Sequence, residues 1–141
     1  MGWVASNTEV ADILRDYRDY TMICAGVFDD MVATLVLENK EAILERNRQI
    51  VEENLALMDA WIAKEPKASW IRPASVSTSF VKLDVNRPIE DFALELLQGY
   101  GVLVVPGNRF DKESHVRIGY CCDKEVLQKG LDKLSQFLNK C

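Results

Sequence analysis

The stretch Val102-Leu103-Val104-Val105-Pro106-Gly107-Asn108-Arg109-Phe110, followed shortly by His115-Val116-Arg117-Ile118-Gly119-Tyr120, decides how this chain is read. It reads as strand, Pro-Gly turn, loop, strand, with one arginine planted in the second strand. Alternation sends Val116, Ile118 and Tyr120 to one face, a natural core face, and His115, Arg117 and Gly119 to the other. A guanidinium among apolar strand residues is costly unless it meets an anion. Its planar fork matches a carboxylate with two parallel bonds, which lysine cannot do. Three readings of Arg117 stand side by side: a carboxylate clamp for a small substrate, a partner for an internal acid such as Glu95 or Asp123, or exposure on an open sheet.

Around this stretch the second half of the chain mixes strands and helices. Ser69-Trp70-Ile71 is a possible short strand stopped at Pro73. Val76 to Val85 reads as another, its inward face ambiguous because Phe80 lies opposite Val81 and Leu83. Pro88 can open a helix at its first position, where a missing N–H does no harm. Glu90 and Asp91 suit the positive helix end. Phe92, Ala93, Leu96 and Leu97 form its buried face, and Gly99 is a plausible C-terminal cap. The strands Val102–Val105 and His115–Cys121 follow. Asp123 then caps a last helix that buries Val126, Leu127, Leu131, Leu134, Phe137 and Leu138.

The first half is helical. Gly2 to Ala5 looks like the tail of a strand, and Ser6-Asn7-Thr8-Glu9 has capping-box spacing with Ser6 at the cap. Val10, Ile13, Leu14 and Tyr17 make one helical face. The apolar stretch Ile23–Leu37 is long enough for a buried helix, with Gly26 near its start. Lys40 to about Lys64 carries Ile43, Leu44, Ile50, Val51, Leu55, Met58, Trp61 and Ile62 at helical spacing, a rod of roughly 35 Å that Pro66 ends. The fold class expected is α+β: N-terminal helices including one long helix, then a small mixed or antiparallel sheet with helices packed on one face.

Composition narrows the function classes. The chain has 141 residues, 48% hydrophobic and 28% charged, and a net charge of -5. That profile fits one globular domain and argues against nucleic acid or an anionic membrane as partner. No apolar run approaches the ~20 residues of a membrane span, and no secretory segment follows Met1. Cys24, Cys121, Cys122 and Cys141 lack C-x-x-C spacing and stand beside a single histidine, so no zinc site is expected. Reduced thiols in the cytoplasm are the simple reading. Ser79-Phe80-Val81-Lys82 matches S-x-x-K, but in a strand Ser79 and Lys82 face opposite ways. His115 has no nucleophile partner in the sequence pattern. Asp29-Asp30 and Glu52-Glu53 read as helix ends or solvated faces. Pro106-Gly107 lacks the glycine repetition of a phosphate loop.

Taken together, these segments resemble the C-terminal part of class I/II aminotransferases, pyridoxal-phosphate enzymes of fold type I. Gly2-Trp3 is similar to the Gly-Trp that follows the cofactor lysine in that family. The Lys40–Lys64 rod resembles its connection between large and small domains. Val104-Val105-Pro106-Gly107 with Phe110 is similar to its V-x-P-G-x-x-F turn, commonly followed by Gly, where this chain has Asp111. The resemblance implies that Arg117 binds the substrate α-carboxylate, with Pro106, Gly107, Asn108 and Phe110 supporting the loop beside it. It implies three parts: 1–39 as a remnant of large-domain helices, 40–65 as the connecting helix and 66–141 as the small domain. It also implies an amino-acid or oxo-acid substrate, pyridoxal 5'-phosphate in a full-length parent and a homodimeric or self-associating protein. The family's cofactor lysine stands in a Ser-x-x-Lys context upstream of the Gly-Trp pair, and a phosphate-contacting arginine stands two residues before that Gly. Neither has a counterpart here, so this chain alone is expected to be inactive and to bind no cofactor. The alternative is a free-standing amino-acid-binding regulatory α+β module.

Overall fold

The computed structural model describes residues 2–141. Helices α1 (Thr8–Thr21), α2 (Val27–Glu38) and α3 (Lys40–Ile62) come first. Strands β1 (Ala68–Trp70) and β2 (Thr78–Leu83), helix α4 (Ile89–Tyr100), strand β3 (Val105–Pro106), a 3-10 turn over Gly107–Phe110, strand β4 (His115–Gly119) and helix α5 (Lys124–Leu138) follow. The expected α+β class is found, and the sheet is wholly antiparallel in the order β1-β2-β4-β3.

Register settles the face of β2 that the sequence left open. Val81 pairs with Val116 and Ser79 with Ile118, so Ser79, Val81 and Leu83 point into the core and Phe80 points out. Beneath them lie Phe92 and Leu96 of α4, Leu131, Leu134 and Leu138 of α5, and Met58 of α3, all essentially without solvent contact. Val126, expected in the buried face of α5, is 61% exposed. It stands one position off the stripe formed by Leu127, Leu131 and Leu134.

Several boundaries move for identifiable reasons. The cap of α1 is Asn7, not Ser6: the Asn7 carboxamide oxygen accepts from the Val10 N–H at 3.0 Å, which satisfies an otherwise orphaned donor of the first turn. Pro88 precedes α4 as its cap in an extended conformation (ψ 133°), so the helix begins at Ile89. Gly101, not Gly99, ends α4, because the residue that leaves the helix has φ +67°, a conformation that suits glycine. The strand expected at Val102–Val105 pairs only over Val105–Pro106, and that expected at His115–Cys121 stops at Gly119. Gly2 to Ala5 belong to no ladder among the described residues; an extended segment becomes a strand only when a neighbour takes its backbone groups.

Helix α2 was expected to be buried, and none of its residues is. Val27 is 72% and Phe28 84% exposed. An apolar run sets what a helix would bury, whereas burial itself needs a second surface. The chain divides into two compact units, one ending at Glu45 and the other running Arg46–Cys141. The boundary falls inside α3, whose buried residues, Asn54, Leu55, Met58 and Trp61, all belong to the second unit. No described helix is long and apolar enough to cross a membrane.

Candidate active-site face

Pairing places Arg117 at the centre of the outer face of the sheet, with Phe80 of β2 on one side and Val105 of β3 on the other. Its guanidinium lies 5.2 Å from the centre of the Phe110 ring, within the range of a cation–π contact. Phe110 meets Phe80 edge-on at 5.8 Å, and Phe80 stacks on His115 at 4.8 Å. Thr78, Ser79, Phe80, Phe110 and Arg117 enclose a shallow cleft of about 270 Å³. Arg117 itself is exposed and makes no ion pair among the described residues. Glu95 is taken by Arg87 and Asp123 by the N–H groups that open α5, so neither acid that could have neutralised Arg117 does so.

The turn that carries Phe110 is fixed by packing and by one acid. A Cβ on Gly107 would lie 2.2 Å from the Lys112 carbonyl oxygen and 2.4 Å from that of His115, so only glycine fits. Glu90, in the first turn of α4, accepts from Asn108 Nδ2 at 2.7 Å and from the Arg109 guanidinium. Pro106 closes β3 opposite Val116. Asp111 then leaves the turn at φ +57°, a conformation in which aspartate is tolerated and glycine is favoured.

The far end of β4 is anchored by a residue the sequence did not single out. Asn54 of α3, 2% exposed, donates to the carbonyls of Tyr120 at 2.7 Å and Cys122 at 2.8 Å. Tyr120 N–H bonds to the Ser77 carbonyl at 3.1 Å, and its hydroxyl donates to the Val76 carbonyl. Burial pushes the Tyr120 phenol above its usual pKa. These bonds join α3, the lead-in to β2 and the end of the arginine strand. Asn54 sits in the helical stripe with Leu55, Met58 and Trp61, and that position among apolar neighbours was the available signal. Phe80 was legible as a cross-strand neighbour once register was known. Nothing in the local pattern marked Glu90 beyond its place at a helix start.

The weaker sequence candidates separate. Ser79 is buried and Lys82 exposed on opposite faces of β2, so S-x-x-K forms no unit. Ser114 Oγ lies 3.4 Å from His115 Nδ1. Partial burial, then Lys112 and Lys82, hold the His115 imidazole below its usual pKa. All four cysteines are free and exposed, and no metal-binding cluster occurs among the described residues.

Known proteins share this fold. A solved PLP-dependent aminotransferase from Streptococcus suis 89-1591 superposes with a TM-score of 0.94 at 65% identity, over 99% of this chain and 37% of that one. The PLP-dependent cyclase OrfR superposes with a TM-score of 0.86 at 26% identity, over 94% of this chain and 37% of that one. Capreomycidine synthase from Streptomyces vinaceus is 27% identical over 98% of this chain and 36% of its own length. A probable N-acetyl-LL-diaminopimelate aminotransferase from Bacillus subtilis (strain 168) is 26% identical over 99% and 36%. The chain thus spans little more than a third of the length of these relatives. The family model for aminotransferase class I and II matches residues 1–134, so the chain belongs to that family.

Proposed function

We propose that this chain is the C-terminal portion of a pyridoxal-phosphate-dependent class I/II aminotransferase, in which Arg117 grips the α-carboxylate of the amino-acid or oxo-acid substrate. The observation that carries the reading is an un-neutralised guanidinium held on a rigid strand, over the Phe110 ring and beside an open cleft. Three consequences follow for substrate handling. Strand pairing on both sides limits how far Arg117 can drift, so the carboxylate is received by a pre-positioned fork. The Phe110 ring under the guanidinium excludes water from one side of that ion pair, which strengthens it. Glu90 and Gly107 act one step removed, by holding the turn that carries Phe110.

The cofactor would supply the electron sink of the reaction, and the residues here do not fit it. The lining of the Arg117 cleft offers neither an amine for its aldehyde nor an acid for its ring nitrogen. Lys82 stands across from His115 and is not among the lining residues. The share of catalysis proposed for this chain is therefore orientation, and the chain by itself should not transaminate. By this reading residues 1–39 belong to the large domain, 40–65 connect it to the small domain and 66–141 form the small domain. The assembled enzyme would be a cytoplasmic homodimer; unpaired thiols support the reducing compartment.

Arg117→Lys, placed in the longer protein that carries this segment, tests the assignment. Losing one fork-shaped charged contact is expected to lower kcat/KM for an α-amino acid about 100-fold, within the ~1.5–3 kcal/mol of such a bond. Unchanged kcat/KM would remove Arg117 from the site.

A further inference from the structure

The ladder between β3 and β4 pairs Val105 with Arg117 and Pro106 with Val116 and goes no further. The next hydrogen-bonding positions, Leu103 and Gly119, are not paired, although the apolar run continues back to Val102. The two segments part, and a cavity of about 310 Å³ opens between them along the flank of α5. It shares no residue with the Arg117 cleft. Val102, Val104, Ile118 and Leu131 contribute apolar wall.

Gly130 forms part of that wall from the interior of α5. Glycine is the poorest helix former after proline, and nothing local calls for it. Its φ is ordinary, and a Cβ built there meets no atom within 4 Å. Gly119, across the gap, faces open space in the same way. The missing side chain at Gly130 leaves the space beside α5 unfilled, and the Gly119 backbone borders it from β4. The lining includes no carboxylate but does include Lys129 and Lys133. Lys133 Nζ donates to the Tyr100 carbonyl at 2.9 Å, and Lys129 Nζ stands 3.6 Å from Glu125. Each ammonium carries three donors, so both keep N–H groups for an anion. The volume lies at the lower end of the range for small-ligand pockets.

We propose that this cavity binds a small apolar carboxylic acid, its hydrocarbon part against the valine, isoleucine and leucine wall and its carboxylate on Lys129 and Lys133. The site is additional to Arg117 and does not depend on the role proposed for that residue. Ile118 and Gly119 connect the two places, because they follow Arg117 directly on β4.

Titrating the full chain, labelled with nitrogen-15, with octanoate and separately with octan-1-ol tests this. Saturable shifts of the Gly119 and Gly130 amides are expected, with octanoate about tenfold tighter than the alcohol. Gly130→Met should fill the cavity and abolish binding, whereas Gly130→Ala should keep it. Lys129→Gln combined with Lys133→Gln should erase the preference for the acid even if Gly130→Met fails to fold. Equal affinity for acid and alcohol would overturn the proposal, as would binding that survives Gly130→Met or shifts confined to residues 2–45. So would Gly130 shifts that follow protein concentration and ignore octanoate, because they would make the cavity a contact between copies.

Discussion

At two backbone positions around the Phe110 turn, Gly107 and Asp111, gaining and losing a Cβ have opposite consequences. Gly107→Ala drives a methyl group into two backbone carbonyl oxygens, and backbone cannot step aside cheaply. A loss of about 3 kcal/mol or more in denaturant unfolding is expected. Asp111→Gly relieves a left-handed conformation at φ +57°. Because a glycine also enlarges the entropy of the unfolded chain, the net gain should be modest, about 0.5 kcal/mol. His115 provides a titration. Its folded pKa lies below the ordinary 6.5, first through burial and then through Lys112 and Lys82. The unfolded chain therefore takes up the proton first as pH falls. Stability from this group is complete above pH 6.5 and declines below it until the lower folded pKa is reached. Urea unfolding across pH 5 to 7 should show that slope, about one proton at most, and His115→Gln should flatten it.

At the scale of elements, Asn54 ties a helix to the end of the arginine strand. Asn54→Leu keeps the volume but strands the carbonyls of Tyr120 and Cys122, a cost of about 2 kcal/mol or more. The same variant should speed hydrogen exchange at Tyr120, whose amide bonds to Ser77, before global unfolding sets in; an unaltered rate would show that the β2 pairing holds the strand end by itself. Element boundaries were legible where one residue type has one physical use. Asp123 caps α5 as its position suggested, and the alternation in β4 correctly put Val116 and Ile118 inside. They were illegible where neighbours could serve equally. Ser6 and Asn7 both have a capping oxygen, and Gly99 and Gly101 both lie near a helix end. Only the conformation of the turn chose between them.

At the scale of the whole molecule, the two units differ in what they bury. The second holds a continuous core from Leu55 to Leu138, whereas α1 and α2 bury nothing. Tyr20, Phe28, Met31, Val32 and Leu35 are all more than half exposed. Apolar surface on that scale is seldom left to water, and under the proposed reading the remainder of a longer protein would cover it. The isolated chain should therefore self-associate at micromolar concentration through residues before Glu45. Light scattering after size exclusion would detect this, and a monodisperse monomer would contradict it.

Sequence by itself determined the alternation that turns Arg117 away from the core, the order of helices and strands, and the Pro-Gly turn followed by an aromatic ring. Those are local properties, written in spacing and in residues with restricted backbone geometry. Tertiary structure alone decided that Phe80 and Val105 flank Arg117, that Asn54 and Glu90 brace its surroundings, that Glu95 and Asp123 are engaged elsewhere, and that the apolar helix α2 lies uncovered. Each of these depends on which distant residue arrives at a given point, and strand register and the presence of a covering surface are not encoded in any short stretch of chain.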